Sequence, residues 1–397
     1  MKSYSFCLLF LVSAACAQAL TLSLNDVAAR VRSHHPALKA ASLAVDEARG
    51  RQLGAGRLAN PSLGYDFQTE SGVSPQTQVM SLDQAFPITR RLKLEKELSA
   101  QLVEAATLEV RDAERRLIAE ASALAVKGAM LRQQLKLLTQ HSALAQQLAD
   151  FAKGRAEAGE VSMLDAKQVE MDMHRVRIES RLLEAEASTL LGQLKPMLGL
   201  TSAQSLEIKG PLPSLKLPAG SDGHQRPDRQ LAEVKATAAK LETDLAKSRR
   251  RPDITAGLFA ARERQGERTG FVGLRFSVPL PFWNRNEGEI AEKIASAERA
   301  RLESQALVLQ INAEAGTALQ EMQSHAGIVR ETRDSLLPLA VEQVTAQQKA
   351  YESGQAELLS VLRAQDQRLH IESTALDAER DFHLARVRYE AATGTQP

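Results

Sequence analysis

Histidine is the side chain readiest to bind a metal or move a proton near neutral pH. This chain has eight: His34, His35, His141, His174, His224, His325, His370 and His383. A metal centre needs several donors converging on one point. These eight are scattered, none pairs with another at i, i+4, and none has a cysteine partner, so no metal site is expected. Both cysteines, Cys7 and Cys16, fall in an apolar N-terminal stretch that reads as a removable leader. Its removal would leave no thiol nucleophile, disulfide or thiolate ligand. There is no H-E-x-x-H, no G-x-S-x-G and no phosphate-binding loop. The abundant acids and bases sit on helical patterns as solvated faces. The reading is therefore not an enzyme, with no cofactor.

The residues that do carry information are backbone formers, and they come twice. Pro36 precedes Pro61 by 25 residues, and Pro227 precedes Pro252 by the same interval. Gly159 follows Pro61 by 98 residues, and Gly354 follows Pro252 by 102. Internal repetition of this kind decides architecture before any motif does. Each unit reads as a helix, a β-hairpin, a very long helix, a turn and a further helix.

Within the first unit, residues 24–58 carry apolar positions at helical spacing, with Pro36 expected to bend or restart the helix. The period then changes to two. Leu63, Tyr65 and Phe67 alternate with Gly64, Asp66 and Gln68, and after a loop at 71–75 Met80 and Leu82 alternate with Ser81 and Asp83. From about Arg90 to Lys153 the only helix breaker is Gly128. A helix of roughly 60 residues would be about 90 Å long, which implies a coiled coil or helical tube. In the second unit Ile254, Ala256 and Leu258 alternate with Thr255 and Gly257, a polar loop is expected at 262–270, and Val272, Leu274, Phe276 and Val278 alternate with polar residues. Pro338 is expected to kink the second long helix.

These patterns set the expected boundaries. Residues 1–19 form a secretory signal ending in Ala17-Gln18-Ala19, with a lipoprotein cut before Cys16 as the poorer alternative because Ser13 stands where a branched apolar residue belongs. The first repeat covers 20–200, with strands at about 61–70 and 77–88 and a helical hairpin at about 90–195. A Pro-, Gly- and Ser-rich linker or equatorial segment covers 201–226. The second repeat covers 227–397, with strands at about 252–261 and 270–280 and a hairpin at about 286–392. No later segment is apolar enough for a membrane helix. Entry into a membrane would have to use strands, whose edges must then be paired. Four strands cannot enclose a lumen, so several chains are needed, and a homotrimer with twelve strands fits the duplication. Alternation puts Leu63, Tyr65, Phe67, Val272, Leu274, Phe276 and Val278 toward lipid, and Asp66, Gln68, Arg275 and Ser277 toward the lumen. Phe282 and Trp283 stand where a membrane boundary would be. With a formal net charge of +1 and interleaved signs, no nucleic-acid partner is expected.

Three groups of residues resemble the TolC-type outer-membrane efflux channels: the turns at 156–165 and 351–359, the strand entries Asn60-Pro61 and Arg251-Pro252, and Ser277-Val278-Pro279-Leu280-Pro281-Phe282-Trp283-Asn284-Arg285-Asn286-Glu287-Gly288. The last run is similar to the Czc-like heavy-metal branch of that family. The resemblance covers essentially the whole chain after the leader. It implies a mainly α fold with a small membrane β-barrel portion: a trimeric α-barrel in the periplasm joined to a twelve-stranded barrel in the outer membrane of a Gram-negative bacterium. It also implies a passive exit duct for heavy-metal cations, working with a periplasmic adaptor and an inner-membrane pump of resistance-nodulation-division type. By the same resemblance Gly159, Val161, Ser162, Gly354, Gln355 and Ala356 form adaptor-docking tips, and Asp165 and Tyr351 form a periplasmic constriction. The chain departs from the family where Ala356 replaces a basic gate residue and where Ser360 and Arg363 replace an acidic ring. A channel for drugs, other organics or protein is the alternative cargo reading. A periplasmic adaptor or structural coiled coil is the competing class, and it has no need of amphipathic hairpins at those places.

Overall fold

The computed structural model describes residues 20–69, 76–210, 212–218, 225–265 and 267–395. The expected leader at 1–19, the hairpin loop at 71–75 and His224 lie outside them.

Long helices dominate. After β1 (Leu20–Leu22), α1 (Asp26–His34) and α2 (Pro36–Gly54) are separated at His35. Pro36 takes the first position of α2, where its missing N–H costs nothing, and the His35 ring accepts from Ala37 N–H at 3.1 Å. Beyond β2 (Ser62–Thr69) and β3 (Gln76–Phe86), α3 (Arg91–Glu157) runs unbroken for 67 residues, about 100 Å. It turns into α4 (Met163–Met197), which returns antiparallel and carries Pro196 inside its last turn, two residues past the expected stop.

The second repeat follows the same order. α5 (Pro227–Ser248) precedes β5 (Ile254–Gln265) and β6 (Glu267–Ser277), then α6 (Glu287–Glu331), α7 (Leu337–Glu352) and α8 (Leu358–Thr393). Between α6 and α7 the backbone makes a π turn, Thr332–Leu336. Pro338 has no N–H to bond the carbonyl four residues earlier and would clash with it, so the helix widens there.

All four long strands form one antiparallel sheet in the order β2-β3-β5-β6. β3 pairs with β5 from Gln76↔Arg264 to Phe86↔Ile254 without a bulge. The expected polar loop at 262–270 is mostly ladder: β5 extends to Gln265 and β6 opens at Glu267. Charged side chains do not end a strand whose backbone groups stay paired. β6 ends at Ser277, three residues before the expected end, where Pro279 cannot donate to a ladder.

Within residues 201–226, expected as a linker or equatorial segment, a short strand forms. Leu206–Ile208 form β4, which pairs in parallel with β1. Beneath this ribbon a core packs Val27 and Val31 of α1, Ile118 and Ala121 of α3, and Leu194 and Leu198 at the end of α4. At the other end of the segment the buried Arg226 grips Asp228 with two donors, at 2.8 and 2.9 Å, and Glu314 of α6 at 2.7 Å. The Gly394 turn after α8 packs on the Arg226 backbone. Another core, with Met322 of α6 against Phe382, Ala385 and Tyr389 of α8, joins the arms of the second hairpin.

Candidate functional site

The two helical turns were singled out by glycine, and the backbone shows why. At the first, Gly159 has φ +76°, Glu160 N–H bonds the Arg155 carbonyl at 2.9 Å, and Gly159 N–H bonds that of Ala156 at 3.1 Å. At the second, Gly354 has φ +72°, Gln355 N–H bonds the Ala350 carbonyl at 2.8 Å, and Gly354 N–H bonds that of Tyr351 at 3.0 Å. Both are Schellman stops, whose left-handed residue is glycine because it has no Cβ. Nothing lies within 4 Å of where a Cβ would stand on either glycine.

Beyond the glycines the turns diverge. Ser162 caps α4, its hydroxyl accepting from Leu164 N–H at 3.2 Å, and the half-buried Asp165 stands in the helix's first turn. Arg155 pairs with Glu160 at 2.8 Å across the turn. Val161 is half-buried, whereas Met163 and Leu164 project outward, Leu164 being 77% exposed. In the second turn Gln355 is exposed, Ala356 half-buried, and Glu357 makes no side-chain cap to α8. Here Leu358 is only 4% exposed and packs into a core with Ala149 and Ala152 of α3 and Val169 and Met173 of α4. Tyr351 joins that core, its ring edge-on to Phe151 at 6.2 Å, so it ties the second hairpin to the first. Asp165 and Tyr351 thus belong to different turns and share no hydrogen bond or ion pair.

Two to three turns along α4 and α8 lies a cluster that sequence reasoning did not single out. Arg175 of α4 meets Asp172 at 2.6 Å, Glu179 at 3.0 Å and Asp366 of α8 at 2.8 Å. Burial, then repulsion from Asp172, raises the Asp366 pKa, against the pull of Arg175. Burial opposes the Arg175 charge, but the hydrogen bond and charge of Asp172 prevail and strengthen it. The i, i+3 and i, i+4 spacing of Asp172, Arg175 and Glu179 was visible in the sequence; the partner 191 residues away was not. On the far side of α8, a groove of about 680 Å³ between α3, α7 and α8 holds His141, Arg368 and Glu372. Burial opposes the Glu372 charge, yet hydrogen bonds from His141 and Arg368 hold its pKa below the ordinary value. Among the described residues no group of three or more metal-ligating side chains gathers, and no helix is long and apolar enough to cross a membrane.

At the opposite end, register sorts the sheet's faces. One face carries Leu63, Tyr65 and Phe67 of β2, Met80 and Leu82 of β3, Leu258 of β5, and Val272, Leu274 and Phe276 of β6. All nine are exposed in the single chain. Val278 lies one residue beyond β6 and is also exposed. The other face holds Asp66, Gln68, Arg275 and Ser277, so the ladder places the members of each expected set other than Val278 on one side. It adds two aromatics not assigned from sequence: Phe259 and Phe271 pack edge to face at 6.1 Å, and the Arg275 guanidinium stands 5.5 Å from the Phe259 ring. Gly273 leaves the room that Phe259 fills.

The strand-to-helix junction after β6 is held by Asn286, the one non-glycine residue with positive φ (63°) among those described. Its amide donates to the Ala246 carbonyl at 3.1 Å and to Glu289 at 2.6 Å, while its N–H donates to the Asn284 side chain at 2.9 Å. Asparagine tolerates this conformation because its short amide can bond locally. The run of two asparagines flanking Arg285 therefore acts as a clamp between α5 and α6. It leaves Phe282 and Trp283 projecting, edge to face at 6.0 Å, with Trp283 96% exposed.

Residues 224–395 match the family described as outer membrane efflux protein. Over 268 residues the chain is 25% identical to the cobalt-zinc-cadmium resistance protein CzcC of Cupriavidus metallidurans, a match covering 66% of this chain and 60% of that relative's length. Its fold is that of the outer membrane protein VceC from Vibrio cholerae, with TM-score 0.77 and 18% identity over 94% of this chain and 96% of the other. It is also that of CusC, with TM-score 0.79 and 17% identity over 94% of this chain and 92% of the other.

Proposed function

The chain belongs to the outer membrane efflux protein family, and from that membership we propose that it is the passive outer-membrane exit duct of a heavy-metal efflux system. The single observation carrying this reading is the sheet. Its one face carries an exposed apolar band across all four strands, its β2 and β6 edges have no partner among the described residues, and the opposite face is largely polar. An adaptor or structural coiled coil would have no use for such a sheet. In hydrocarbon every backbone group must be paired, so β6 of one chain would meet β2 of the next. Three chains would give twelve strands, with the apolar face toward lipid and Asp66, Gln68 and Arg275 toward the lumen.

The helical hairpins of about 100 Å would then form a periplasmic tube. The turns at Gly159 and Gly354 would meet a periplasmic adaptor, which couples the tube to an inner-membrane pump of resistance-nodulation-division type. Asp165 and Tyr351 would lie at the narrow lower end. Fold and family are those of passive channels, so the driving energy belongs to the pump. Likeness to CzcC supports metal cations as cargo. Cargo would pass without tight coordination, because tight binding slows release.

The test is growth and metal accumulation in a strain lacking this gene, across zinc, cobalt, cadmium, nickel, copper and silver salts. Selective hypersensitivity rescued by the intact gene is the expected result. Without any metal phenotype, in a host shown to lack a substitute channel, drug or organic export takes the place of the metal reading.

A further inference from the structure

The apolar face of the sheet has two differently finished ends. Toward the helices it passes through Phe86 and Val278 to Phe282 and Trp283. Toward the far end the next residues of the same face on β5 are arginines. β5 pairs with both neighbours without a bulge, so Arg262 and Arg264 share the face of Leu258 and Ala260. From Ile254 to Arg262 is eight residues, about 27 Å along a strand, and about 20 Å once tilted as barrel strands are. That height is close to the apolar band of a membrane barrel.

Both arginines are exposed, and neither has a hydrogen-bond or ion-pair partner among the residues whose side chains are described. Other arginines of this chain, such as Arg175 and Arg226, are paired with acids. The nearest acid in sequence, Glu263, falls on the opposite face by strand alternation. Gly270, across from Arg262 on β6, contributes no side chain to cover it. An arginine facing lipid costs about 2–4 kcal/mol at the midplane and little at the interface, so this pair belongs at headgroup level.

Resting on the channel reading above, we propose that Arg262 and Arg264 bind the phosphate groups of lipids in the outer leaflet. Guanidinium forks match phosphate oxygens, and two arginines alternating on one strand stand about 7 Å apart, within reach of a single phosphorylated headgroup. The ligand must also be a lipid, because the same face continues at once into Tyr65, Met80, Ala260 and Val272. A molecule seated there presents phosphate to the arginines and acyl chains to the band.

The experiment uses the full-length protein, purified in detergent, with lipid binding followed by native mass spectrometry. The probes are diphosphoryl lipid A, its dephosphorylated form, and inorganic phosphate as competitor. The expected result is preference for the diphosphoryl lipid by about tenfold, lost in the R262Q/R264Q protein and kept in R275Q, whose change lies on the other face. Equal binding by wild type and R262Q/R264Q overturns the proposal. Full competition by millimolar inorganic phosphate also overturns it, as the site would then be one for free anions. Fractionation and heat-resistant oligomers are scored for every variant. Absence of the wild-type protein from the outer membrane would overturn the channel reading and this inference with it, whereas correct fractionation with unchanged lipid binding overturns this inference alone.

Discussion

The two helical turns began as copies and now do different things. Their stops agree in φ, in hydrogen-bond pattern and in the empty space around each glycine. The residues just after the stop do not agree. The first turn is finished by its own cap, Ser162, and holds Met163 and Leu164 out to solvent. The second lacks that cap and instead buries Leu358 against the first hairpin, beside the half-buried Tyr351 that precedes the stop. Duplication has kept the geometry that reverses the chain and freed the flanking positions: one turn is displayed, the other is anchored.

The sharpest way to break this comparison is truncation on both sides. Leu358→Ala should cost about 2–5 kcal/mol by leaving a cavity between the hairpins. Leu164→Ala should change stability by no more than about 0.5 kcal/mol while weakening adaptor binding. Equal losses in thermal unfolding would mean that the turns are not differently anchored. The glycines come next. Gly159→Ala and Gly354→Ala should each cost about 1–2 kcal/mol, and equally, because only the backbone conformation is at stake. A large difference between them in chemical denaturation would end the equivalence of the stops. Ser162→Ala should cost about 1 kcal/mol as a lost cap, and Glu357→Ala close to nothing, read from the same denaturation curves.

A small effect is also expected at the contact between α4 and α8. Asp366→Asn should shift stability by less than about 1 kcal/mol at neutral pH, since the pair is half-exposed and Asp172 already repels Asp366. Its pH dependence is more telling. Because the folded-state pKa of Asp366 is raised, the folded protein takes up this proton before the unfolded chain does. Stability from this group therefore grows as pH falls into the carboxyl range and is lost as pH rises through the raised value, the reverse of an ordinary paired carboxylate. Unfolding of wild type and Asp366→Asn compared across that range checks the sign.

Much of the fold was legible because it is local and periodic. Seven-residue stretches such as Val272 to Val278 announce a strand, and about sixty residues from Arg90 interrupted only by Gly128 announce a helix. The segment at 201–226 was not legible, because β4 is three residues long and its partner is β1, some 186 positions away. The polar end of β5 was misread for a related reason. Arg262, Glu263 and Arg264 look like a loop until the ladders on both sides are seen to pair them.

By itself the sequence determined the duplicated plan, the elements within each unit, the glycines that stop the helices, and the alternation that sorts each strand into an apolar and a polar side. All of these follow from preferences of neighbouring residues, which the chain carries wherever it goes. The tertiary structure alone decided that Leu358 is buried while Leu164 is displayed, that Arg175 reaches Asp366, that Arg226 ties the end of α8 to α6, and that Arg262 and Arg264 stand above an apolar band without a partner among the described residues. Each of these depends on which distant segment comes to lie alongside, and that is set by packing between elements.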